Sequence, residues 1–386
     1  MLSRKLYLPP AGENEARWCT VSYIDDKLTR LEVHRTSGES DTYLNYAQRV
    51  SHDNGKTWTP LSPIEGVTRQ LPEGGLVTYP GRYFYDPGLK ILYQLRMRRF
   101  WPGNDVYTFN WGGEHAFVNQ VFVLENSVEK QLRYEAGPEY EPENPFAHEF
   151  LERNRAYFGT NIAIARDGTA FLPMVCYKHG DEYSLNRGGV VLMRRDPETG
   201  QWLASNQQYI APELSSRGLL EPAVAILSDG TLLIVCRGSN TSTKSGRKWF
   251  CTSTDSGMTL SPVQEFRYDD GTRFYSPSSI HHFIRSTKNG KLYWLANIVK
   301  QPPEGNSPRY PLYITEIDEE KIAVKKNNRT LVDDRREDDP DKLQLSNFCV
   351  LEDRETLDFE IYLTRIGQDA ESFWRAGVYE YTFVPR

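Results

Sequence analysis

The chain has 386 residues, 39% of them apolar, 25% charged and 12% aromatic, with a formal net charge of −6. This is an ordinary soluble globular balance with ample material for a core, and the aromatic share favours β structure. No basic stripe is present to neutralise phosphates, so nucleic acid is not an expected partner, and no apolar run is long enough to span a membrane as a helix.

Taken in chain order, residues 1–10 carry Arg4 and Lys5 but no apolar run of the signal-peptide kind. Location is therefore left open between the cytoplasm and export with a leader removed. A repeated unit follows: an apolar strand, a tight turn and a second apolar strand. It is weak at 18–32 and 76–95, clear at 162–176 around Asp167-Gly168, at 223–236 around Asp229-Gly230 and at 280–298 around Asn289-Gly290, and weak again at 345–364. Asp-Gly and Asn-Gly suit two-residue hairpins because both residues tolerate positive φ. Six such units predict an all-β, six-bladed β-propeller of four-stranded antiparallel blades, which a chain of this length can form as one domain spanning 1–386. The acidic, proline-containing stretch 134–155 reads as an elaborated loop with a helical turn, and the polar stretch 331–342 as a link between the last two blades. The cysteines, Cys19, Cys176, Cys236, Cys251 and Cys349, lie singly and are odd in number, as expected of buried free thiols.

Ser51-His52-Asp53-Asn54-Gly55-Lys56-Thr57-Trp58 fits S-x-D-x-G-x-x-W, the Asp-box of sialidases and related propellers. Residues 253–260 fit it with Leu260 in place of the tryptophan, and Asp196 to Trp202 is a looser copy. The box is structural: Asp accepts backbone donors in a tight turn, Gly supplies the unusual φ and Trp fills a gap between strands.

Hairpin symmetry predicts which side chains meet. Glu221 and Arg237 are symmetric about Asp229-Gly230, and Arg17 and Arg35 about Asp25-Asp26, so each pair is expected to face across the open end of its hairpin. Loops from second to third strands emerge at the same end; one carries Glu39 and Asp41, and another, 301–308, delivers Arg309. Arg17-Trp18-Cys19-Thr20, Asp41 before the box, Glu221-Pro222 with Arg237, and Arg309-Tyr310-Pro311-Leu312 together resemble the sialidase (neuraminidase) family over nearly the whole chain. The resemblance implies Arg17, Arg237 and Arg309 as a clamp for a sugar carboxylate, and hairpin symmetry adds Arg35 as a substrate-binding candidate. The resemblance also implies Asp41 as acid/base and Glu221 as the activator of a tyrosine nucleophile. Guanidiniums suit the clamp because they stay charged and bind carboxylates in bidentate fashion.

The family's tyrosine begins the inner strand of the last blade, where this chain has Leu345-Ser346-Asn347-Phe348. Tyr275, in Phe274-Tyr275-Ser276-Pro277, is the substitute candidate. Simpler readings stand beside these: Glu221 and Arg237 as a structural cross-strand pair, Arg17 and Arg35 as solvated rim residues, and Glu39 as a rival to Asp41. His281 and His282 read as core histidines, and with His115 in its glycine-rich loop they lack metal-ligand spacing. No cofactor motif appears. The expected function is an exo-acting glycosidase on a terminal acidic sugar such as sialic acid. A polysaccharide lyase on uronic-acid glycans, with His115, Tyr275 or His281 as base, and a non-catalytic propeller binding acidic glycans are the alternatives.

Overall fold

The structure, a computed structural model, describes residues 2, 4–39, 41–106, 117–178 and 187–386. Six antiparallel sheets of four or five strands form a ring. Blade 1 comprises Ala16–Tyr23, Arg30–Ser37, Asn45–Ser51 and Ser62–Pro63. Blade 2 adds Thr68–Leu71 ahead of its inner strand Gly74–Asp86, followed by Ile91–Pro102, Val118–Glu125 and Val128–Gln131. Blade 3 has a broken inner strand, Ala156–Phe158 and Ala163–Ile164, both on Ala170–Cys176, then Gly189–Arg195 and Trp202–Ala204. Blade 4 is Leu220–Ile226, Leu232–Arg237, Lys248–Ser253 and Gln264–Glu265. Blade 5 is His282–Arg285, Leu292–Asn297, Leu312–Asp318 and Ala323–Val324, with Thr330–Asp333 also on its third strand. Blade 6 is Gln344–Glu352, Phe359–Ile366 and Val378–Phe383, completed by Arg4–Leu8 from the other end of the chain. The predicted six-bladed propeller is the fold, with every predicted hairpin at the centre of one blade.

Each strand turns alternate residues to opposite faces, so a blade buries both faces against its neighbours. The apolar clusters follow those seams. Leu31, Val33 and Tyr46 of blade 1 pack on Val77, Tyr79 and Trp101 of blade 2, and Tyr93 and Val121 of blade 2 on Leu172 and Met193 of blade 3. Val190 and Leu192 meet Val224 and Ile234 at the next seam, and Phe250 and Phe266 meet Phe283 and Trp294 at the one after. Tyr293 and Ile314 face Phe359 and Phe383, and Cys349 and Leu351 close the circle on Cys19 and Val21. The inner strands surround a central cavity of about 450 Å³. All five cysteines are buried and free.

Three readings need adjustment. Stretch 331–342 is not wholly a link, because Thr330–Asp333 pairs with Leu312–Ile314 and Val332 is fully buried. The closing strand Arg4–Leu8 has no turn signal to announce it. In blade 1, Tyr23 pairs with Arg30, a turn one residue longer than the symmetric reading assumed. Arg17 therefore faces Thr36 while Arg35 faces Trp18, and the two arginines lie on opposite faces of the blade.

Residues 134–155 do contain one helical turn, His148–Leu151. Segments 51–58 and 253–260 fold identically: Thr57 N and Thr259 N each donate to the Asp Oδ1 at 2.8 and 2.9 Å, and their hydroxyls to Oδ2 at 2.6 Å. Ser51 and Ser253 Oγ bond the same carboxylates and accept from Gly55 N and Gly257 N.

Candidate active site

Strand direction puts the starts of the first strands and the ends of the second strands at one end of the ring, opposite the Asp-Gly and box turns. Glu221 and Arg237 meet there. Leu220 faces Arg237 and Ala223 faces Val235, leaving Glu221 and Pro222 in a bulge. Glu221 takes a φ of 43°, a conformation few non-glycine residues adopt. Bulges re-aim side chains, and this one brings Glu221 Oε1 to 2.7 Å from Arg237 Nη1. Among the described residues, the buried Glu221 Oε2 and Arg237 Nε have no hydrogen-bond partner. Burial pushes the Glu221 carboxyl up, but Arg237, followed by Arg309 and Lys248, outweighs it and holds the group below its ordinary range. Glu221 is ionised.

Arg309 arrives from blade 5. Its backbone carbonyl accepts from Leu345 N at 2.9 Å and Asn297 Nδ2 at 3.0 Å. Its guanidinium donates to Ser278 O at 2.8 Å and Gln344 Oε1 at 2.8 Å. Burial and the charge of Arg237 draw it down to about 10, against the pull of Glu221 and Asp41. Leu345 thus anchors Arg309 through its backbone while its side chain, fully buried, packs in the seam of blades 5 and 6.

Asp41 is exposed on the blade 1 loop with a φ of 57°. Arg99 Nη1 donates to its backbone oxygen at 2.9 Å, fixing the loop. The Asp41 charge acts on Arg35, Arg237 and Arg309, so it reaches the cluster from across the ring. Arg35 lies over the Tyr43 ring at 4.3 Å and the Trp18 ring at 5.7 Å, a packed cation facing the same aspartate.

For two residues of the expected set the described contacts lie elsewhere and give no link to the cluster. Arg17 is tied by its backbone to Ala376 and Thr364, each at 3.0 Å, and none of the described charge contacts joins it to Arg237 or Arg309. Tyr275 lies under Arg247, 4.7 Å from ring centre to guanidinium, and Arg247 pairs with Glu265 on the outermost strand of blade 4. None of the described contacts joins Tyr275 to Glu221. His281 is fully buried with Nδ1 accepting from Trp294 at 3.0 Å. His115 lies outside the described residues.

Four residues absent from the expected set belong to the cluster. Tyr157 feels the charges of Tyr177, Glu221, Arg237 and Arg217; burial chiefly, then Tyr177 and Glu221, push its phenol well above its ordinary value. Tyr157 is brought there by a close backbone approach: Thr160 N donates to Pro222 O at 2.9 Å, and a Cβ on Gly159 would lie 2.2 Å from that oxygen. Tyr177 packs beside Tyr157, and the phenol of Tyr157 is the hydrogen-bonding neighbour of its buried hydroxyl. Arg217 precedes blade 4, held by the bridge between Gly188 and Gly218, and its charge acts on Arg309. Lys248 faces Arg237 on the next strand, across the loop of residues 238–247. The cluster therefore sets Arg217, Arg237 and Arg309 against Glu221 and Asp41, an arrangement with excess positive charge suited to an anionic ligand.

No protein-family model matches the chain, and no curated protein matches it. Solved structures do. A protein of unknown function from Dyadobacter fermentans aligns at 14% identity and TM-score 0.62, covering 99% of both chains. The Streptococcus pneumoniae sialidase NanB aligns at 13% identity and TM-score 0.56 over 95% of this chain and 68% of that one. A GH93 α-L-arabinofuranosidase of Fusarium graminearum aligns at 13% identity and TM-score 0.54 over 98% and 97%. What this chain shares with them, at such identities, is the sialidase-like six-bladed propeller fold.

Proposed function

We propose that the chain is a propeller glycoside hydrolase acting on the terminal acidic sugar of a glycan. The observation that carries the reading is the single cluster of Glu221, Arg237, Arg309 and Asp41 at one end of the ring, an ionised carboxylate beside two arginines with a second carboxylate opposite. Arg237 and Arg309 hold the sugar carboxylate, with Arg217 as the third cation in place of Arg17. Asp41 gives a proton to the departing oxygen. Glu221, ionised and with one oxygen unengaged, takes the proton of a tyrosine that attacks the anomeric carbon. Tyr157 is favoured over Tyr275 in that role because its phenol senses Glu221 and Arg237.

A second reading, hydrolysis of neutral arabinose-containing glycans, draws on the arabinofuranosidase likeness, which spans nearly the whole of both chains. Incubation with sialosides, uronic-acid glycans and arabinan, with products read by mass, separates the readings. Release of an acidic monosaccharide with gain of water is the expected result. Arabinose release alone establishes the second reading, and an unsaturated, ultraviolet-absorbing product establishes a lyase instead. Arg237→Ala should lower kcat/KM on the acidic substrate about 100-fold or more, as loss of a charge-assisted clamp does.

A further inference from the structure

The cluster includes a buried cation that the reaction above does not use. Lys248 begins the third strand of blade 4, directly opposite Arg237, so both side chains rise on the same face. It is fully buried, and its Nζ donates to Ser279 O at 2.6 Å. A buried ammonium is sustained only by acceptors or counter-charges. Here the counter-charge is Glu221, which is already paired with Arg237. An anion entering between Arg237 and Arg309 would add a second counter-charge.

We infer that Lys248 is a buried positive charge beside the Arg237–Arg309 pair, and that it makes the pair hold an anionic sugar more tightly below neutrality than above it. The inference rests on the acidic-sugar reading of the site. Burial, then the charge of Arg237, draw the ammonium down to about 7, with Arg309 adding to the fall and Glu221 opposing it. The neighbours on every side hold their charge through that range. On blade 4, Glu221 is held below the ordinary carboxylate range, Arg237 is raised above its ordinary value, and the Cys236 thiol is pushed well up by burial. From blade 5, Arg309 loses its proton only near 10, and burial together with the Lys248 charge keeps His281 well below its ordinary value, hence neutral. On the outer side, Arg247 and Glu265 pair with each other at 3.0 Å. The sign follows from linkage: a group protonated more in the bound state than in the free state takes up a proton on binding, and affinity falls as pH rises through its free value.

Lys248 is a positioning residue, acting on the ligand through the field it adds to Arg237 and Arg309. The test is isothermal titration of the full chain with N-acetylneuraminic acid and with glucuronic acid, both ionised throughout, between about pH 5.5 and about pH 8.5. Wild type should lose affinity about five-fold or more across that span. Titration near neutrality in two buffers of different ionisation enthalpy should show net proton uptake that vanishes at the acid end. Lys248→Met should bind more weakly at low pH and without that pH dependence. The buffer comparison needs no variant, so a poorly folded Lys248→Met leaves the test intact. Binding with no proton uptake and a flat pH profile in wild type overturns the role of Lys248 and leaves the acidic-sugar reading standing. Failure of both acids to bind at any pH overturns both.

Discussion

Glu221 combines a left-handed backbone with a buried carboxylate oxygen that no described donor meets. Strain of this kind costs about 1–3 kcal/mol and persists where the surroundings over-determine it. Here they do so twice, through the ion pair to Arg237 and the backbone contact of blade 3 with Pro222. The same contact positions Tyr157, which ties the tyrosine to the glutamate through Gly159. Tyr157→Phe should lower kcat about 100-fold or more with a nearly unchanged melting temperature, whereas Tyr275→Phe should retain turnover. Steady-state kinetics on the released acidic sugar decide between them, and full activity in Tyr157→Phe would return Tyr275 to first place. Gly159→Ala tests the positioning itself. Its Cβ would sit 2.2 Å from Pro222 O and 2.7 Å from Pro173 O, so the two blades must part. The expected result is a loss of about 1–3 kcal/mol in urea unfolding together with a fall in kcat. A variant of normal stability and activity would show that Tyr157 needs no such approach.

The box turns act at the level of the element, tying the third strand of a blade to its fourth at the end away from the candidate site. In blade 1 the turn also reaches outward. Asn54 Nδ2 donates to Asp353 and Glu355 of blade 6 at 2.9 Å, and Asp353 pairs at 2.6 Å with Arg30, which also binds Glu360 at 2.7 Å. Arg30 is 2% exposed, so Arg30→Met should cost about 3 kcal/mol or more by leaving two carboxylates facing each other unpaired. Chemical denaturation of the variant measures this. The box aspartates give a separate pH signature. The Thr57 hydroxyl first, then Thr57 N and Ser51, hold Asp53 down to about 2, and Thr259 and Ser253 do the same for Asp255. A carboxyl depressed in the folded state adds stability that is complete above its unfolded value of about 4 and is lost as pH falls through the folded value. Urea midpoints of wild type should therefore decline between about pH 4 and about pH 2 more steeply than those of Asp53→Asn. Parallel slopes would mean that the turn does not draw on the charge of Asp53.

At the scale of the whole ring, the legible features were local ones. Asp229-Gly230 and Asn289-Gly290 need only their own hairpin, and hairpin register alone brings Glu221 near Arg237, with a bulge as the one unannounced detail. Arg17 and Arg35 do not face each other as hairpin symmetry predicts, because a turn longer by one residue turns a side chain to the other face. Tyr157 was hidden because it depends on two blades touching at Gly159. The closing strand was hidden because Arg4–Leu8 pairs with Val378–Phe383 at the far end of the chain. That closure separates stability from chemistry in a testable way. Deleting residues 1–9 removes the outer strand of blade 6, takes Leu8 out of the seam with Val21, Cys349 and Val378, and removes the bond from Tyr7 to Glu32. Tyr157, Glu221, Arg237, Lys248 and Arg309 come from blades 3 to 5 or the loops beside them, with Arg309 anchored on Gln344 and Leu345 of the inner strand of blade 6, which the deletion leaves in place, whereas Asp41 comes from blade 1. On the proposed reading, opening the seam between blades 6 and 1 should thus spare the Arg237–Arg309 cluster and loosen the approach of Asp41 across the ring. The truncated chain should bind N-acetylneuraminic acid within about three-fold of wild type while its kcat falls about ten-fold or more and its unfolding midpoint drops. Equal losses of binding and turnover would show instead that the ring is one cooperative unit and that the pocket cannot survive without its closure.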